Sequence, residues 1–292
     1  MTIKRVGIVG SGIMGASIAE LASKAGFEVM LRSRSREAAD EALAKVARSL
    51  GRQVEKAKIT AEEQAAALAR ITPVTDVGDL EYCDLVVESI VEDLPAKKAL
   101  FAELDAACGS GTILATNTST LPILDLAVSV SRADRVLGIH FFNPATVMPL
   151  VEVVPALTTS GETFDTAWQF ALACGKTPVR SKDQAGFIVN ALLFPYLNAA
   201  VRMLEADVAT MEDIDTAMKG GCGFPMGPFE LLDLIGLDTS LSILERLYEE
   251  RREPGCVPAG KLRQMVTARK LGRKTGSGFY SYAPAGTPAA AR

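Results

Sequence analysis

The chain holds a single histidine, His140, in the run Gly138-Ile139-His140-Phe141-Phe142-Asn143-Pro144, and a carboxylate, Glu152, follows twelve residues later in Leu150-Val151-Glu152-Val153-Val154. A free imidazole titrates at about 6.5, so His140 is the side chain best suited to take or give a proton near neutrality. A carboxylate within reach would fix the ring's orientation and stabilise its protonated form, as in nucleophile/base/orienter triads. The same two residues would also serve as a satisfied core histidine and its ion-pair partner on a strand edge. The pair alone does not decide between these readings.

A second constellation lies near the start, where Gly10-Ser11-Gly12-Ile13-Met14-Gly15 forms GxGxxG between an apolar strand and a helical pattern. Gly10 permits the tight turn, Gly12 lets the backbone approach a pyrophosphate and Gly15 lets the helix pack close. The helix N-terminus, with Ile13 and Met14 in its first turn, then turns donors and a positive dipole end toward the phosphates. Past the next strand a carboxylate is expected for the adenine ribose, but the chain reads Arg32-Ser33-Arg34-Ser35-Arg36. A small neutral Ser33 beside arginines favours a 2′-phosphate, which guanidinium forks bind well. NADP(H) is therefore expected ahead of NAD(H).

Elements that could position these groups alternate between strand and helix from the first residue to about 180, the pattern of βαβ units and a largely parallel sheet. Strands are predicted at 6–9, 28–32, 71–74, 85–87, 112–115, 136–142, 150–154 and 177–179, with a long charged helix over 36–58 and a capping box at Thr60-Ala61-Glu62-Glu63. After about 186 only helical periodicity remains. The fold class is α/β: a Rossmann-type, doubly wound, largely parallel dinucleotide-binding domain over 1–185, then a smaller all-α domain over 186–282. An Ala/Pro/Gly-rich tail over 283–292 is expected to be unstructured.

At 292 residues two domains are the default, and a net charge of -4 without a basic patch argues against a nucleic-acid binder. The five cysteines are scattered and form no CxxC, so neither a disulfide framework nor a zinc site is indicated. The most apolar stretch, 187–201, contains Asn190, Pro195 and Asn198 and falls short of the ~20 residues a membrane span needs. It reads instead as a buried helix or a subunit interface. No leader segment is apparent, and the expected location is the cytoplasm.

The Rossmann fingerprint, the HFFNP run, Glu152, Thr116-Asn117-Thr118-Ser119 after a predicted strand, and Leu271-Gly272-Arg273-Lys274-Thr275-Gly276-Ser277-Gly278-Phe279-Tyr280 near the end occur together. On these motifs the chain resembles the 3-hydroxyacyl-CoA dehydrogenases over essentially its whole length, which is that of the monofunctional, bacterial type. The resemblance implies hydride transfer between C3 of a short-chain (S)-3-hydroxyacyl-CoA and a nicotinamide cofactor. It implies His140 as acid/base, Glu152 as its partner, and Ser119 and Asn190 as hydrogen-bond donors to substrate oxygens. It places Glu92, Lys97, Ser119, Asn143 and Lys274 at the nicotinamide cofactor, and Ser49, Lys56 and Ser119 at CoA. It further implies a homodimer joined through the helical domain, whose closure would bring in Asn190.

Bland alternatives stand beside these assignments: a helix cap for Ser119, a backbone partner for Asn190, a solvated surface for Lys56. The sequence departs from the family at Ser33, where a ribose-binding Asp is usual, at Thr146, where a proline is common, and at Glu55, which interrupts the basic run around Lys56. Two rival functions fit the same fold: a dehydrogenase of a free hydroxy acid, and a non-catalytic dinucleotide-binding dimer.

Overall fold

The runs over 6–9, 85–87 and 113–115 carry no charged side chain, as strands do when helices cover both faces of a parallel sheet. In the computed structural model, which describes residues 2–282, they are interior strands. The elements of the first unit are β1 (Arg5–Val9), α1 (Ile13–Lys24), β2 (Glu28–Arg32), α2 (Arg36–Glu55), α3 (Ala61–Ala69), β3 (Ile71–Val74) and β4 (Leu85–Glu88). There follow α4 (Leu94–Ala107), β5 (Ile113–Thr116), α5 (Ile123–Ala127), β6 (Val136–Phe141), β7 (Leu150–Pro155), α6 (Gly161–Ala173) and β8 (Thr177–Arg180). The eight strands run in the order β3-β2-β1-β4-β5-β6-β7-β8.

From β3 to β6 every pairing is parallel, so the fold is the expected doubly wound sheet, and its order reverses between β1 and β4. Ligands of such sheets bind at that reversal, outside the strands' carboxyl ends. One departure matters for chemistry: β7 runs antiparallel to β6, and β8 parallel to β7. Two apolar layers flank the sheet. Ala16, Ile18, Ala19 and Ala22 of α1 pack on one side with Ala42, Val46 and Leu50 of α2, and Leu100, Phe101 and Leu104 of α4 pack on the other with Ile123 and Leu126.

Element ends follow local chemistry. The capping box at Thr60 forms as expected, with Thr60 Oγ1 accepting from Glu63 N and the Glu63 carboxylate accepting from Thr60 N. The helix expected over 36–58 stops at Glu55, because Ala57 adopts φ +51 and its N–H turns back to the Val54 carbonyl. Helix α6 begins at Gly161, where Ser160 caps it by accepting from Thr163 N. The five-residue α5 was not legible, since its first N–H groups, those of Ile123 and Leu124, are satisfied by Asp183, sixty residues away.

The chain divides into two compact units between Phe187 and Ile188. The second is helical, with α7 (Val189–Glu205), α8 (Met211–Cys222), α9 (Pro228–Ile235), α10 (Leu237–Arg251) and α11 (Gly260–Thr267). Asn198, buried in α7, spends its amide on structure: Nδ2 donates to the carbonyls of Gly255 and Val257, and Oδ1 accepts from Ala259 N. The segment around Gly278 is fastened to α9 by Asp233, whose carboxylate accepts from Phe279 N, Tyr280 N and the Tyr282 hydroxyl. The tail over 283–292 lies outside the described residues. Among the described residues no helix is long and apolar enough to cross a membrane, and all five cysteines are free.

Candidate active site

Antiparallel pairing of β6 with β7 puts His140 directly opposite Glu152, and side chains so paired stand on the same face of the sheet. His140 Nδ1 lies 2.7 Å from Glu152 Oε2, with the two residues 4% and 0% exposed. Because β7 lies between β6 and β8, Glu152 is interior to the sheet rather than at a strand edge. A carboxylate can only accept here, so Nδ1 carries the proton. Nε2 of the neutral ring is then the acceptor, and Ser119 Oγ lies 3.1 Å from it. Phe142 and Phe187 pack against the imidazole, with ring centroids 4.5 and 5.5 Å away. The result is a fixed tautomer with its basic nitrogen aimed at a hydroxyl, a geometry that can move one proton at Nε2.

Ser119 does not cap the following helix, whose N-cap is Pro122. It is held by a network that the sequence reading did not foresee. Glu92 Oε1 accepts from Thr118 Oγ1 at 2.5 Å, Ser119 N at 2.9 Å and Thr120 N at 3.2 Å. Burial opposes ionisation of Glu92, but the Lys97 charge and those hydrogen bonds prevail and hold its carboxyl below the usual range. Lys97 Nζ meets Glu88 Oε1 at 2.6 Å and Glu92 Oε2 at 3.4 Å. Glu88 Oε2 accepts from Thr116 Oγ1, and Asn117 Oδ1 accepts from Phe141 N, tying β5 to the residue after His140. The one visible clue to these residues was an acid, Glu88, closing an apolar strand ahead of the Thr-Asn-Thr-Ser run.

The glycine turn is shaped for a phosphate-bearing ligand. Gly10 has φ +122 and a Cβ there would meet the Ser89 carbonyl oxygen at 2.3 Å, while a Cβ on Gly15 would meet the Gly10 oxygen at 1.8 Å. A Cβ on Gly12 would meet nothing within 4 Å, so this side of the turn is open. Ile13 is exposed in the first turn of α1, and Met14 packs partly on the core. At the end of β2, Ser33 is 2% exposed and its Oγ has no hydrogen-bond partner. Arg36 pairs with Asp40 and Arg32 donates to the Thr75 carbonyl. Arg34 is exposed and forms no ion pair among the described residues. An open phosphate cradle and an orphaned buried hydroxyl at the ribose end of the switch point fit a dinucleotide.

Asn143 is exposed just past β6. The loop beyond it, which contains Thr146 in place of the usual proline, is braced from below by Lys176, whose Nζ donates to the Ala145 and Met148 carbonyls. Ser49, half-buried, and Lys56, exposed at the C-cap, lie seven residues apart and so share one face of α2. In the second unit Asn190 is buried in the first turn of α7, and Lys274 pairs with both carboxylate oxygens of Asp238.

Comparison with known proteins gives a consistent picture. Residues 5–184 match the family model for the 3-hydroxyacyl-CoA dehydrogenase NAD binding domain, and residues 186–282 match the model for the C-terminal domain. A 3-hydroxybutyryl-CoA dehydrogenase of Mycobacterium tuberculosis is 44% identical over 96% of this chain and 99% of its own length. The human mitochondrial hydroxyacyl-coenzyme A dehydrogenase is also 44% identical, over 96% of this chain and 91% of its own. The crystal structure of an (S)-3-hydroxybutyryl-CoA dehydrogenase from Ralstonia eutropha superposes with a TM-score of 0.95 at 42% identity, covering 97% of this chain and all of that one.

Proposed function

The chain belongs to the 3-hydroxyacyl-CoA dehydrogenase family, and we propose that it interconverts a short-chain (S)-3-hydroxyacyl-CoA and the matching 3-ketoacyl-CoA, with 3-hydroxybutyryl-CoA and acetoacetyl-CoA as the substrate pair. The observation that carries this reading is the line Ser119, His140, Glu152, with its 3.1 and 2.7 Å separations. The names and high coverage of the relatives support the substrate.

The nicotinamide, when bound, supplies or takes up the hydride. The chain's own residues handle the proton. In oxidation, Nε2 of neutral His140 accepts the C3 hydroxyl proton, and the Glu152 carboxylate stabilises the imidazolium that forms. In reduction, the imidazolium returns that proton to the C3 oxygen. Ser119, and Asn190 by family resemblance, donate to substrate oxygen where negative charge builds up. Ser49 and Lys56 are assigned to CoA, and Asn143 and Lys274 to the cofactor.

Purified protein supplied with acetoacetyl-CoA and a reduced cofactor should consume the cofactor and form the 3-hydroxy thioester. Free acetoacetate should be a poor substitute. Equal turnover of the free acid would move the assignment to a hydroxy-acid dehydrogenase.

Ser33 and Arg34 favour NADP(H), since Arg34 is exposed just past β2 and forms no ion pair among the described residues. Arg34→Ala should lower kcat/KM for NADPH by about tenfold, the scale of one charge-assisted hydrogen bond, and leave NADH unaffected. A strong NADH preference in the wild type, unchanged by the substitution, would reverse the assignment.

Leu192 and Met203 are exposed on α7 and suit burial against a second copy of the chain. Sedimentation at micromolar concentration should show a dimer; a monomer alone would remove this part of the reading. A reducing cytoplasm suits five free cysteines.

A further inference from the structure

The geometry points to Lys97 as a positioning residue for Ser119, acting through Glu92 and Glu88; this rests on the reading of Ser119 as the partner of the acid/base His140. Lys97 is 1% exposed, and two of its three donors face Glu88 and Glu92.

Its partners grip the Ser119 turn from two sides. Glu88, fully buried as the last residue of β4, holds Thr116 Oγ1, which in turn accepts from Thr118 N at 3.2 Å. Glu92 holds Thr118 Oγ1 and the N–H groups of Ser119 and Thr120. Among the described residues Lys97 is the one cation meeting both acids. Two carboxylates that face the same ammonium repel each other once it is gone, and the less buried Glu92 is the one free to move. Ser119 Oγ would then leave its place beside Nε2.

The chain's single histidine gives this inference a spectroscopic readout that needs neither cofactor nor turnover. In untagged, cofactor-free enzyme labelled with ¹⁵N-histidine, one imidazole is observed, and Ser119→Ala marks how its Nε2 resonance moves when the serine contact is lost. Lys97→Met should move the resonance in the same direction, and the double variant should match Ser119→Ala alone. In the loaded enzyme kcat should fall roughly tenfold to a hundredfold, as for a misplaced catalytic group.

A Lys97→Met protein whose resonance stays at the wild-type position overturns the inference. If Lys97→Met does not fold, Thr118→Val removes the shortest bond to Glu92 and is expected to give the same displacement; a wild-type resonance there is equally fatal. Absence of activity on acetoacetyl-CoA in the wild type would sink the proposed function while leaving the resonance test readable.

Discussion

His140→Gln is expected to lower kcat for acetoacetyl-CoA reduction by at least about a hundredfold, within the ~10²- to 10⁴-fold range of a positioned acid/base group. Glutamine can still reach between Ser119 and Glu152, so the buried hydrogen-bond line that spans them need not be broken. What it cannot do is titrate. The glycine turn at 10–15 is on a separate stretch of the sheet and is untouched, so cofactor affinity should stay near wild type. Steady-state kinetics with a parallel cofactor titration check both parts. Near-normal turnover would remove His140 from the chemistry, and a large loss of cofactor affinity would show the substitution acting on the fold.

Glu152→Gln should be nearly as damaging, by roughly a hundredfold or more in kcat, because the amide neither fixes the Nδ1–H tautomer reliably nor stabilises an imidazolium. Both directions should lose rate, since each passes through an imidazolium that the carboxylate stabilises, and steady-state kinetics run in the two directions check this. A Glu152→Gln enzyme with near-wild-type kcat in both directions would mean that the 2.7 Å contact is structural only.

Much of this architecture is legible in the chain because parallel sheets bury both faces. The uninterrupted apolar runs at 6–9, 85–87 and 113–115 leave few alternatives to interior strands, and the glycine spacing at 10–15 marks the switch point. His140 and Glu152 stand out through residue type alone. Their opposition does not, since it depends on β7 turning back antiparallel with His140 and Glu152 in register, which a twelve-residue spacing does not determine.

Lys97 shows the other limit. In sequence it is one of two adjacent lysines on a helix, Lys97 and Lys98, and nothing local tells which is buried; the answer depends on Glu88 arriving from β4. The same holds for α5, which is capped by Asp183. In α7 two asparagines look alike in a helical run, yet Asn198 is consumed by the backbone at 255–259, leaving Asn190 as the one to which family resemblance gives a substrate oxygen.

The most direct measurement of the chemistry follows the atoms. Acetoacetyl-CoA reduced in ordinary water with cofactor carrying deuterium at both C4 positions of the reduced nicotinamide should yield (S)-3-hydroxybutyryl-CoA with one deuterium at C3, the hydroxyl proton being drawn from solvent through His140. The His140→Gln enzyme should deliver the same label far more slowly. A product without deuterium at C3, or label delivered by the His140→Gln enzyme at the wild-type rate, would contradict hydride transfer assisted by this imidazole.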